Sequence, residues 1–114
     1  MKPPRPAPGE MLARVQDVPD GGAIALHFAD DSSILIARLG DNLFAYINRC
    51  AHAAYPLDRE DGRVVVQERR YIVCPHHGAS YALDTGACAG GPCNGEGLAQ
   101  IPIEVRDGAI SLRE

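Results

Sequence analysis

Turn chemistry cuts this chain into short pieces, and that limits what it can build. Asp20-Gly21-Gly22, Asp30-Asp31-Ser32, Gly40-Asp41, Asp61-Gly62, Asp84-Thr85-Gly86 and Asp107-Gly108 all carry residues that favour tight reversals. Between them lie short β-like runs at 12–15, 23–28, 33–39, 42–47, 63–66, 71–73, 80–83, 98–105 and 109–112. No run sustains an apolar stripe of helical period over three turns. Asp107-Gly108, set between two apolar runs, is a hairpin signal. The expected class is all-β, an antiparallel β-sandwich of short strands.

With 114 residues the chain fits one domain, and its 46% apolar content allows a modest core. A domain this small buries a limited share of its surface, so a metal centre tying loops together would add stability. A net charge of −4 gives no sign of a nucleic-acid partner. It suits weak docking on a basic patch of a larger protein, with a plain solvated surface as the bland alternative. No apolar run approaches the roughly 20 residues of a membrane span. Residues 1–10 hold four prolines and a glycine, with no apolar signal segment, and read as an extended arm before a domain over 11–114. The default location is cytoplasmic, where cysteines more often bind metal than form disulfides.

Strand patterning lapses in two loops, at about 48–61 and 74–80. The first reads Cys50-Ala51-His52 and the second Cys74-Pro75-His76-His77-Gly78. Each offers one thiolate and one imidazole. The 21 residues 53–73 leave room for an excursion and a returning hairpin, so two loops at one end of a sandwich could clasp a metal from both sides. Two cysteines and two histidines suit zinc as well as iron, and ligand type alone leaves both open. The mixed C-x-H and C-x-x-H spacing departs from the C-x₂₋₄-C, H-x₃₋₅-H pairing of common zinc modules. It permits a diiron centre with both cysteines on one iron and both histidines on the other.

Cys50-x-His52 followed by Cys74-Pro75-x-His77-Gly78 resembles the paired boxes of the Rieske [2Fe–2S] family, and is most similar to the Rieske-type ferredoxins of bacterial oxygenase systems. The likeness covers about two thirds of the chain, from roughly Leu35 to Leu112. It includes Leu57 after the first box, the aromatic Tyr81 after the second, the turn at Asp84-Thr85-Gly86, a proline loop at Gly91-Pro92 within 86–94, and a closing hairpin. The resemblance implies one [2Fe–2S] cluster on Cys50, His52, Cys74 and His77, with Gly78, Tyr81, Pro92 and His76 around it. It also implies a cluster-binding subdomain at one end of the sandwich, with the proline loop covering the cluster. Respiratory members add a cysteine in each loop, joined as a disulfide; here those positions are Tyr55 and His76. Their serine after the second box is Ala79 here, which implies a lower reduction potential, partly offset by Tyr81. Ala54 stands where many members have glycine, a strained choice if positive φ is required there.

The implied function is a soluble one-electron carrier that takes electrons from a reductase and passes them to a terminal oxygenase or other redox protein. It transforms no substrate itself, since the chain shows no further 2-His-1-carboxylate constellation. The alternatives are a small redox subunit of a larger oxidoreductase, or a zinc-binding structural module. Several other residues carry weaker expectations. His76 is expected to pack beside the centre or face solvent rather than ligate. His27, far from the boxes in sequence, reads as structural. Cys88 and Cys93 read as free thiols near the cluster in preference to a disulfide. Asp58, Glu60 and Asp61 read as a solvated turn, with a docking patch as the alternative.

Overall fold

The computed structural model describes residues 4–50, 55–59, 61–75, 78–93 and 95–113. Ten strands occur among them: β1 (Met11–Arg14), β2 (Ala23–His27), β3 (Ser33–Leu39), β4 (Asn42–Ile47), β5 (Val65–Gln67), β6 (Tyr71–Val73), β7 (Ser80–Ala82), β8 (Cys88–Gly90), β9 (Ile103–Arg106) and β10 (Ala109–Leu112). A single 3₁₀ turn, Val15–Asp17, follows β1, and no α-helix is present among the described residues. The strands form three antiparallel sheets, in the orders β1-β10-β9, β2-β3-β4 and β5-β6-β7-β8. The all-β sandwich expected from the turns is the fold observed.

The sheet β2-β3-β4 is a wall between two cores. In β3 the unbroken run Ile34-Leu35-Ile36-Ala37 is fully buried. Because strand side chains alternate, Leu35 and Ala37 enter one core while Ile34 and Ile36 enter the other. Neighbouring strands follow suit: Phe44 and Tyr46 face the first core, Leu43 and Ala45 the second. The first core is shared with the four-stranded sheet through Ile72 and Tyr81, and it also holds Cys50 and Cys74. The second is closed by Ala13, Ile110 and Leu112 of the β1-β10-β9 sheet. Each buried isoleucine or leucine contributes about 1.5–3 kcal/mol.

Turns behave largely as their composition dictates. Asp107 and Gly108 both have positive φ (50° and 78°), the conformation a tight hairpin of right-twisted strands demands. The β5–β6 turn is of the same kind, with Glu68 and Arg69 at φ 54° and 56° and Arg70 N donating to Gln67 O at 2.9 Å. It carries no glycine or asparagine, so its sequence does not announce it.

Three strand expectations need correction. The run 98–105 is strand only from Ile103, because Pro102 has no N–H to give to a ladder. Its first part runs beside β4 through Ile47 N to Ala99 O and Ile101 N to Ala45 O, both 2.8 Å. The run at 63–66 lies later, as β5. The strand β8, Cys-Ala-Gly, has no alternation to read and forms through pairing of Cys88 with Tyr81 and Gly90 with Ser80 across a register shift.

Candidate metal centre

Cys50 follows β4 and Cys74 follows β6. Both are buried, at 1% exposure each, in the core that holds Leu57, Ala79, Tyr81 and Cys93. The two loops are closed in the same way. Cys50 N donates to Tyr55 O and Cys74 N to Ala79 O, each at 2.7 Å and each five residues ahead (50 to 55, 74 to 79). A further bond, Gly78 N to Cys74 O at 3.0 Å, tightens the second loop, and Gly78 takes φ +74° there. His52, His76, His77 and Ala54 lie outside the described residues.

Tyr81 projects from β7 into the core with its hydroxyl 3.2 Å from Cys50 Sγ. Towards a thiolate that hydroxyl is the donor. The proline loop meets the second box at close range. Gly91 has φ +75°, and a Cβ built there would lie 2.7 Å from Gly78 O and 2.9 Å from Ala79 Cα, so only glycine permits this approach. Pro92 beside it is half-buried.

A polar network, partly missed in the sequence, braces the first loop. Asn48 is 6% exposed, and its amide makes three side-chain hydrogen bonds. Nδ2 donates to Ser33 Oγ and to Asp58 Oδ1, both at 2.8 Å, and Oδ1 accepts from Leu57 N at 2.7 Å. Asp58 takes its other bond from His27 Nε2 at 2.7 Å. His27 is therefore structural, as expected, but it is not remote: β2 carries it to the edge of the first loop. The solvated-turn reading fails for Asp58, which is buried because Asn48 and His27 both need its oxygens. Asp61 is exposed and accepts from Arg63 N at 3.0 Å, as a turn residue should. The cue available in sequence was the bracket Asn48…Asp58 around an apolar Leu57.

The expectation of free thiols at Cys88 and Cys93 is overturned: they form a disulfide, with Cα atoms 5.9 Å apart. That separation lies inside the bridging range of about 4.4–6.8 Å. The reversal at Gly91 brings the two together, and this local geometry outweighs the expectation from cellular compartment.

Lower down, Tyr46 Oη donates to Leu83 O at 2.9 Å, and burial pushes its phenol well above its ordinary range, so it stays protonated. Two buried cysteines in matched loops, a hydroxyl aimed at one sulfur, and a glycine that lets a covering loop reach the other box form a site that fits a sulfur-ligated cluster.

Comparison with known proteins bears on which cluster. The family profile described as Rieske [2Fe-2S] domain matches residues 10–104. The 3-phenylpropionate/cinnamic acid dioxygenase ferredoxin subunit of Photorhabdus laumondii is 29% identical over 101 residues, covering 89% of this chain and 90% of that one. The protein of that name from Escherichia coli (strain K12) is 30% identical over 100 residues, covering 86% of each. The solved structure of the Sphingomonas yanoikuyae B1 ferredoxin superposes with a TM-score of 0.73 at 27% identity, covering 92% of this chain and 97% of that one.

Proposed function

This chain belongs to the Rieske [2Fe–2S] domain family, and from that membership we propose that it is a one-electron carrier holding its cluster on Cys50, Cys74, His52 and His77. The two cysteines would hold one iron and the two histidines the other. The cluster would supply a one-electron couple, its potential raised by the two imidazoles that replace thiolates. The chain's own residues set the conditions for that couple. Cys50 and Cys74 present their sulfurs from inside the core, away from water. The Tyr81 hydroxyl draws charge from the Cys50 sulfur and so favours the reduced state. The loop at Gly91-Pro92 shields the second box, while Asn48 and Asp58 fix the first.

The names of its relatives, ferredoxin subunits of a dioxygenase, support the further reading that electrons go to a terminal oxygenase, and we propose a reductase as their source. The protein transforms no substrate. No helix among the described residues is long and apolar enough to cross a membrane, and we place the protein in the cytoplasm, as one Rieske domain over 11–114 behind a short arm.

The observation that carries the assignment is the pair of buried cysteines in matched loops with Tyr81 on one sulfur. Anaerobically prepared protein is expected to contain about two irons and two sulfides per chain, and dithionite reduction should give a rhombic EPR signal with average g below that of an all-cysteine cluster. Rapid-mixing with a flavin reductase and an oxygenase should then show reduction and reoxidation. Stoichiometric zinc in a colourless, EPR-silent protein would overturn the reading.

A further inference from the structure

We propose that the Cys88–Cys93 disulfide is a dithiol-sensitive latch that holds the covering loop closed on the second cluster box. Cys88 lies in β8, directly paired with Tyr81, the residue whose hydroxyl sits on Cys50 Sγ. Cys93 is 2% exposed and packs in the same core as Cys50, Cys74 and Ala79. Between the two runs Ala89-Gly90-Gly91-Pro92, the stretch that presses onto Gly78 and Ala79. Among the described residues, the main-chain bonds that tie this stretch beyond β8 are Cys93 N to Gly91 O at 2.9 Å and Glu96 N to Cys93 O at 2.8 Å. The covalent bond is therefore the strongest tie that keeps this reversal in place. The respiratory-type bridge would join the two boxes to each other; this one joins the cover to the strand beneath it.

Cys88 is half-buried while Cys93 is enclosed, so exchange starts at Cys88. One thiolate of a dithiol attacks the Cys88 sulfur, the bond between Cys88 and Cys93 breaks, and Cys93 leaves as a thiolate that takes a proton. The second thiol of the reagent then displaces Cys88. Two electrons and two protons pass from the dithiol to the pair, and the reagent departs as a cyclic disulfide. The cluster, a one-electron centre, cannot perform this reduction alone, so the latch answers to the thiol pool and not to the carrier's own redox traffic.

The inference rests on the cluster reading only for its effect on the cluster. Holo-protein purified in air is alkylated with iodoacetamide before and after incubation with dithiothreitol, with the visible spectrum recorded throughout and peptide masses reading each cysteine. Cys88 and Cys93 are expected to be unlabelled before and both labelled after, with the absorption retained. Amide exchange within 78–81 and 89–93 is expected to rise on the order of tenfold, as an opened loop loses protection. Bleaching by an iron chelator should accelerate in step. A Cys88→Ala/Cys93→Ala variant should exchange at the reduced protein's rate and ignore the dithiol. Free thiols in air-purified protein would overturn the latch, as would a bond that dithiothreitol leaves intact, or unchanged exchange after cleavage. A colourless protein that still shows the exchange change would defeat the cluster reading and leave the latch standing.

Discussion

At the scale of single residues, Tyr81 and Asn48 do different work for the same loop. Tyr81 touches the Cys50 sulfur, so with Cys50 as the proposed ligand its hydroxyl acts on the redox equilibrium. A hydrogen bond contributes about 1 kcal/mol, and for a one-electron couple that converts to roughly 40 mV. Tyr81→Phe should therefore lower the reduction potential by about 40 mV in a voltammetric titration while leaving the fold intact. Asn48 is not among the proposed ligands. Its three side-chain bonds hold Ser33, Leu57 and Asp58 together, and removing them leaves Leu57 N and an Asp58 oxygen buried without those partners. Asn48→Ala should cost about 2–4 kcal/mol in urea unfolding, with an unchanged slope. The sequence singles out Cys50 and Cys74 because each stands in a short local box, and the structure buries both in one core. It does not reveal the Asn48–Asp58–His27 chain, because His27 and Asp58 meet only through the path of β2.

At the scale of elements, most strands are legible because turn residues bracket them and β-branched residues fill them. The exceptions have physical causes. The strand β8 is built from small residues whose pairing is imposed by β7. Glu68 and Arg69 occupy a left-handed turn without the residues that usually mark one. Arg69 is also used elsewhere. Its guanidinium meets Asp20 Oδ2 at 3.0 Å, while Asp20 Oδ1 accepts from Gly40 N at 2.7 Å. One carboxylate thus links the turn before β2, the β3–β4 turn and the β5–β6 turn. The Gly40 amide first, and Arg69 second, hold the Asp20 carboxyl below its ordinary value of 3.8. A depressed folded pKa adds stability above the unfolded value, and this is lost as pH falls through the folded one. Wild-type stability should decline below pH 3.8 partly through this group. Asp20→Asn should show a shallower decline when midpoints are compared across that acid range.

At the scale of the whole molecule, the two cores divide the labour. The one shared with the β5–β8 sheet contains the cysteines; the one under β1-β10-β9 contains none of the described site residues. A cavity in the second core should cost stability without reaching the cluster. Ile110→Ala is expected to lose about 2–5 kcal/mol while the potential and EPR line shape stay those of the wild type. Leu57→Ala, in the first core, should lose as much and also disturb the spectrum. A potential that moved with Ile110→Ala would show that the β2-β3-β4 wall transmits strain between the cores.

The matched ties at Cys50 and Cys74 have a kinetic meaning. Each cysteine's amide is fastened five residues ahead inside its own loop (50 to 55, 74 to 79), so the backbone beneath each sulfur is held by a main-chain hydrogen bond of the loop itself. Gaining or losing an electron then asks little of the surrounding atoms. A carrier that must turn over between two partners during brief encounters benefits from that stillness more than from any particular affinity for either.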